Sequence, residues 1–297
     1  MAHTRTALAA SVLVLAFAGL GTLPGCAAKN SAGDENLGTS EDLLTDESEA
    51  GNADDSTEAE EEATSGGGDL TDASQGVDPS LPDGEHLAKL KLNPGRFFTP
   101  AGCIATTIDK NVVTHVFTNC TGLGGRTWNG TVVATWTRPA ANQVQVQRVA
   151  KGFKIDGASI DRTVTVVYSK EGGVFKRDRT VSMKGTTEKG KSFSRDAHWV
   201  VTWEPSTKCV TRDGSSHTII GSREHSTSVE GYKRCGIGVF GCPDAGKVKL
   251  HRDAPKGSDK VIDIVIVFDG GKKMTISLPD GRKLSRIMLC REPAKVN

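Results

Sequence analysis

The chain lacks the short motifs by which catalytic and metal chemistry is most often recognised. No Gly-x-Ser-x-Gly elbow occurs, so the usual frame for a serine nucleophile is missing. No Cys-x-x-Cys or close Cys/His pair is present, and the cysteine spacings are wrong for a zinc site. Neither His-Glu-x-x-His nor an EF-hand loop appears. Gly122 and Gly124-Gly125 precede a strand rather than a helix, so they read as a turn and not as a phosphate cradle. Asp213-Gly214-Ser215-Ser216 likewise reads as a turn rather than a calcium site. Beyond Leu87 a sustained helical period is missing too. No cofactor or metal is implied.

The remaining candidates for chemistry are weak. Ser194, Asp196 and His198 alternate along one expected strand face, about 6.5 to 7 Å apart at Cα, which is poor geometry for a proton relay. They read as a solvated polar face. His217 and His225 share a metal only if the strand carrying them folds back. Asp196, Glu204 and Asp263 fall in or beside strands, but paired carboxylates for glycoside hydrolysis must face one another across a cleft. A cysteine nucleophile is disfavoured because export oxidises thiols.

What is present begins at the N-terminus. His3 and Arg5 form a weakly basic start, Ala7 to Leu20 supplies an apolar core too short to cross a bilayer, and Leu23-Pro24-Gly25-Cys26 closes it. This resembles the lipobox of bacterial lipoproteins, although small or branched residues are commoner where Pro24 stands. The resemblance implies cleavage before Cys26, lipidation of that residue, and a signal peptide over 1–25. Ala27 in place of an aspartate implies, by the same resemblance, transfer to the outer membrane or cell surface.

Lipidation of Cys26 leaves Cys103, Cys120, Cys209, Cys235, Cys242 and Cys290. An even number in an exported chain reads as up to three disulfides, with many connectivities open. Chain proximity favours Cys103 with Cys120, and Cys209 with Cys235 and Cys242 with Cys290 complete one possible set.

The formal net charge of +1 conceals a strong asymmetry. Residues 27–85 hold 18 Asp plus Glu against Lys29 alone, whereas residues 86–297 hold 35 Lys plus Arg against 18 acids. Residues 26–86, rich in Asp, Glu, Ser, Thr and Gly, lack the apolar surface that offsets chain entropy and read as a disordered acidic linker. A spacer is its plain role, and an acidic tail that binds cations or the basic domain itself is the alternative. Residues 87–297 read as one basic domain.

In that domain Phe193, Arg195, Ala197, Trp199, Val201 and Trp203 alternate with Ser194, Asp196, His198 and Thr202, and Val144 to Gln147 alternates too. Val261 to Phe268 reads as a strand buried on both faces. Asp269-Gly270-Gly271 and Pro279-Asp280-Gly281 read as tight turns. About eleven strands favour an all-β fold, either an antiparallel β-sandwich or an elongated twisted sheet. Asp161-Arg162-Thr163-Val164-Thr165 recurs as Asp178-Arg179-Thr180-Val181-Ser182 about Glu171-Gly172, which predicts a hairpin with Arg162 and Arg179 diagonal on one face. Trp199 and Trp203 share the apolar face of their strand and read as core rather than as stacking surfaces.

Asn119-Cys120-Thr121-Gly122, Gly125-Arg126-Thr127-Trp128-Asn129-Gly130 and the Arg-Thr-Val strands resemble uncharacterised bacterial surface lipoproteins rich in antiparallel strands. The resemblance covers residues 100 to 290 and implies fold and location, without an activity to transfer. Function is then read from charge. A net near +17 over residues 86–297 exceeds the magnitude of about 2 to 8 suited to solubility and attracts acidic polymers. Part of the excess sits on turns and strand edges, where Lys and Arg deter aggregation. The expected role is a non-catalytic binding or structural module, with Arg162, Arg177, Arg179 and Arg195 as anion-binding candidates. Acidic polysaccharide, lipopolysaccharide or extracellular DNA are the expected ligands. A hydrolase acting on surface polysaccharide or peptide is the alternative.

Overall fold

Alternating side chains of period two, punctuated by glycine turns, build one antiparallel sheet of 13 strands in which each strand pairs with its neighbours in sequence. The computed structural model describes residues 43–51, 53, 54, 61, 77–82, 98–122, 125–235, 242–253 and 261–288. The strands are β1 (Ile104–Asp109), β2 (Val112–Thr121), β3 (Thr127–Ala140), β4 (Gln143–Ile155), β5 (Ala158–Glu171), β6 (Val174–Thr186), β7 (Ser192–Glu204), β8 (Cys209–Ile220), β9 (Arg223–Cys235), β10 (Ala245–Arg252), β11 (Ile262–Gly270), β12 (Lys273–Ser277) and β13 (Lys283–Ile287). The all-β expectation holds, and of its two forms the single elongated sheet is the one found. Among the described residues no helix is long and apolar enough to cross a membrane.

One face of the sheet is buried and the other meets solvent. Along β7 the residues Phe193, Arg195, Ala197, Trp199, Val201 and Trp203 are all buried, with exposed or half-buried residues between them. This inner face carries a continuous apolar lining from Phe117 on β2 through Val164, Val181 and Val229 to Ile276 on β12. Trp199 and Trp203 are core residues, as their phase requires.

Four local expectations need correction. The β5–β6 turn centres on Gly172 and Gly173, both at positive φ (55° and 84°), so Glu171 pairs with Val174. Arg162 therefore faces Met183 and Arg179 faces Val166, which sets the two arginines on one face but four residues apart along the hairpin rather than diagonal. Asp213-Gly214-Ser215-Ser216 is no turn. It lies inside β8, where the register slips between Arg212 and Gly214. Glycine is required there, since a Cβ would stand 2.1 Å from the His198 carbonyl oxygen. The apolar run of β11 is fully buried only at alternate positions, because the sheet has one buried face, and Val261 is exposed. His217 and His225 do reach adjacent strands, but on opposite faces. His217 pairs with Ser226 and is exposed, whereas His225 pairs with Thr218 and is buried.

Two disulfides join Cys103 to Cys120, as chain proximity favours, and Cys209 to Cys235, as in one possible completion of the set. The second links directly opposed residues of β8 and β9. Cys242 is also disulfide-bonded. Cys290, its expected partner, lies outside the described residues, as do residues 1–25 and Cys26.

Candidate anion-binding face

Register places arginine at apolar-phase positions of four successive strands. Arg148 on β4 follows Val144 and Val146, Arg162 on β5 precedes Val164, Arg177 and Arg179 on β6 precede Val181, and Arg195 on β7 sits between Phe193 and Ala197. All five are buried, as is Arg252 on β10. No described lysine is buried. Every buried basic side chain of this kind is thus a guanidinium, while the described ammonium groups stay outside. This agrees with chemistry, because a guanidinium is more weakly hydrated and offers a planar fork of donors to carboxylates. Arg162, Arg177, Arg179 and Arg195, the expected anion-binding candidates, all lie at buried positions of the inner face.

The anions that meet them belong to the same chain. Residues 43–51 of the acidic segment are helical, with the same conformation at 53, 54 and 61. For these residues the expectation of a disordered linker gives way to order. Leu43, Glu47, Ala50, Asp54 and Glu61 fall at helical spacings of four, three, four and seven, and all are buried together with Asp46. A single stripe therefore carries both the apolar and the acidic contacts. Composition alone hides it, because the stripe is defined by phase and its polar members are the ones that bind.

Each acid has a defined cradle. The Glu47 carboxylate accepts from Arg195 Nη1 and Nη2, each at 3.1 Å, and lies 2.9 Å from His225 Nε2. Arg195 Nη1 also donates to Thr218 Oγ1 at 2.8 Å. Asp54 accepts from Arg179 Nη1 at 2.7 Å and from the Trp199 indole at 3.2 Å. Glu61 takes both Nε and Nη2 of Arg179 at 3.0 Å, and its backbone carbonyl accepts from Arg148. Asp46 receives Arg252 at 2.9 Å and the Arg223 guanidinium. Two-pronged pairs of this kind are among the stronger polar contacts available to a protein.

Electrostatics follows the geometry. Burial pushes the Glu47 carboxyl up, but the Arg195 charge and the hydrogen bonds from His225 and Arg195 outweigh it and hold the group at about 2. The same contest, decided by Arg179 and Arg195, holds Asp54 well below the ordinary carboxylate range. Arg177 is pushed down by burial and by the neighbouring charges of Arg179 and Arg212. A guanidinium nevertheless stays charged in proteins.

The outer face holds the remaining candidates apart. Asp196 and His198 are exposed, and His198 pairs with Asp178 on β6 at 2.7 Å rather than with Ser194 or Asp196. Asp263 on β11 contacts His251 on β10, and Glu204 engages Ser206 and Thr207 at a turn. Nucleophile, base and acid are not assembled among these groups. Among the described residues no group of three or more His, Cys, Asp or Glu is placed to hold a metal.

No family model, curated protein or solved structure matches the chain. Fold and site define a single-sheet, disulfide-bonded β protein whose arginine-lined inner face holds its own acidic segment.

Proposed function

We propose that this chain is an exported cell-envelope protein, anchored by lipid at Cys26 to the outer membrane or cell surface, whose domain is a non-catalytic module that binds anionic polymers. The observation that carries the reading is the inner face itself, where buried guanidinium groups of β6 and β7 already grip carboxylates in two-pronged geometry. Disulfides at Cys103–Cys120 and Cys209–Cys235 support export to an oxidising compartment. Lysines on the outer face add a long-range attraction for the same ligands.

The test is a binding screen of the full mature chain against acidic glycans, lipopolysaccharide and DNA at low and raised salt, with product analysis of every mixture. Binding that weakens as salt rises, without product, is the expected result. Turnover of any polymer, or no binding to any of them, overturns it. The anchor is tested by Cys26→Ala, which is expected to release the protein into soluble fractions. A mutant that remains membrane-bound contradicts it.

A further inference from the structure

The Glu47 cradle sits beside a pair of buried hydroxyls. Thr218 and His225 face one another across β8 and β9, and one step further in the same phase Ser216 faces Thr227. All four are buried. Among the described residues Ser216 Oγ and Thr227 Oγ1 have no hydrogen-bond partner, and neither has His225 Nδ1. Buried polar atoms in folded proteins are nearly always satisfied, by protein, water or ligand, so three at one place offer hydrogen bonds that a ligand's hydroxyls can take up. The two positions lie two residues apart on each strand, roughly 6.5 to 7 Å along the sheet.

The acidic helix fills the charged part of this site and leaves the hydroxyl part unmade. It is also a weak helix on its own account. Thr45, Asp46, Ser48 and Gly51 are poor helix formers, so its order comes from docking. Glu47 then stands in for a ligand carboxylate held by Arg195 and His225.

Resting on the anion-binding reading above, we infer that this inner-face site takes a hexuronate unit of an acidic polysaccharide, with the acidic helix as its built-in competitor. The sugar carboxylate replaces that of Glu47 between Arg195 and His225. Ring hydroxyls on the far side of the same sugar, a few ångströms away, reach Ser216 and Thr227. DNA supplies the charge without such hydroxyls, and a neutral sugar supplies the hydroxyls without the charge. Only a sugar acid satisfies both halves.

Isothermal calorimetry of the full mature chain with tetragalacturonate, a neutral tetrasaccharide and a single-stranded DNA oligomer tests this. Glu47→Gln weakens the competitor and is expected to tighten tetragalacturonate binding about fivefold. Ser216→Ala with Thr227→Val is expected to weaken it about three- to tenfold without lowering the thermal midpoint, because hydroxyls with no protein partner hold nothing together. The neutral sugar is expected not to bind, and DNA to be indifferent to the hydroxyl substitutions. Salt-sensitive polyanion binding that ignores both variants overturns this site while leaving the wider anion-binding reading intact. Failure of every polyanion to bind overturns both.

Discussion

Arg195 joins the sheet to the acidic segment, since it holds both oxygens of Glu47 as well as the Thr218 hydroxyl while itself buried. Arg195→Met removes the partner and leaves a buried carboxylate beside His225. The expected loss of stability is about 3 to 5 kcal/mol, read from the denaturant midpoint. The pH dependence has a definite sign. Glu47 falls from an ordinary 4.5 to about 2 in the folded state, so its contribution is fully present above about 4.5 and is lost as pH falls towards 2. By linkage it amounts to about 3 kcal/mol. Trp199 reports undocking of the acidic segment, because its indole donates to Asp54. Acid titration of tryptophan fluorescence in wild type and Glu47→Gln is expected to show a smaller change between pH 4.5 and 2 in the variant. Equal curves contradict the assignment. That Arg195 belongs to the apolar face of its strand was legible in sequence, from its phase with Phe193, Ala197 and Trp199. That its partner lies 148 residues earlier was not, because nothing in strand alternation points to a helix.

At the scale of elements, the strands were legible because one face is dry and the other wet, which imposes period two. Boundaries were less so. Gly214 reads as a turn residue because glycine beside Asp and Ser usually marks one, yet here it admits close approach of β7 to β8 within a bulged strand. Gly214→Ala is expected to cost about 3 kcal/mol, since φ is +143° and the added methyl meets the His198 carbonyl. A variant as stable as wild type in urea contradicts that packing. The acidic helix was missed for a different reason. Its stripe of Leu43, Glu47, Ala50 and Asp54 has helical spacing, but the acids on it are stabilised by a distant sheet and not by anything local. The Cys209–Cys235 bridge ties opposed residues across a separation of 26. Replacing both by serine is expected to lower stability by about 3 kcal/mol in thermal unfolding.

At the scale of the whole molecule, the charge asymmetry along the chain becomes a contact within it. Four acids of the N-terminal segment, Asp46, Glu47, Asp54 and Glu61, are buried against arginines of the sheet, while the lysines stay outside. The separate roles inferred from an acidic part and a basic part therefore meet in one folded unit at residues 43–51, 53, 54 and 61, which cannot be treated only as a tether. Buried pairs are screened far less than exposed ones, so docking of the helix persists at salt concentrations that abolish attraction by the outer lysines. Hydrogen exchange of the amides of residues 43–51 in the full mature chain, at low and raised salt, tests this most directly. The expected result is slowed exchange at both salts in wild type, and loss of that protection when Arg179 and Arg195 are replaced by methionine. Exchange at the rate of an unstructured peptide in the wild-type protein contradicts it.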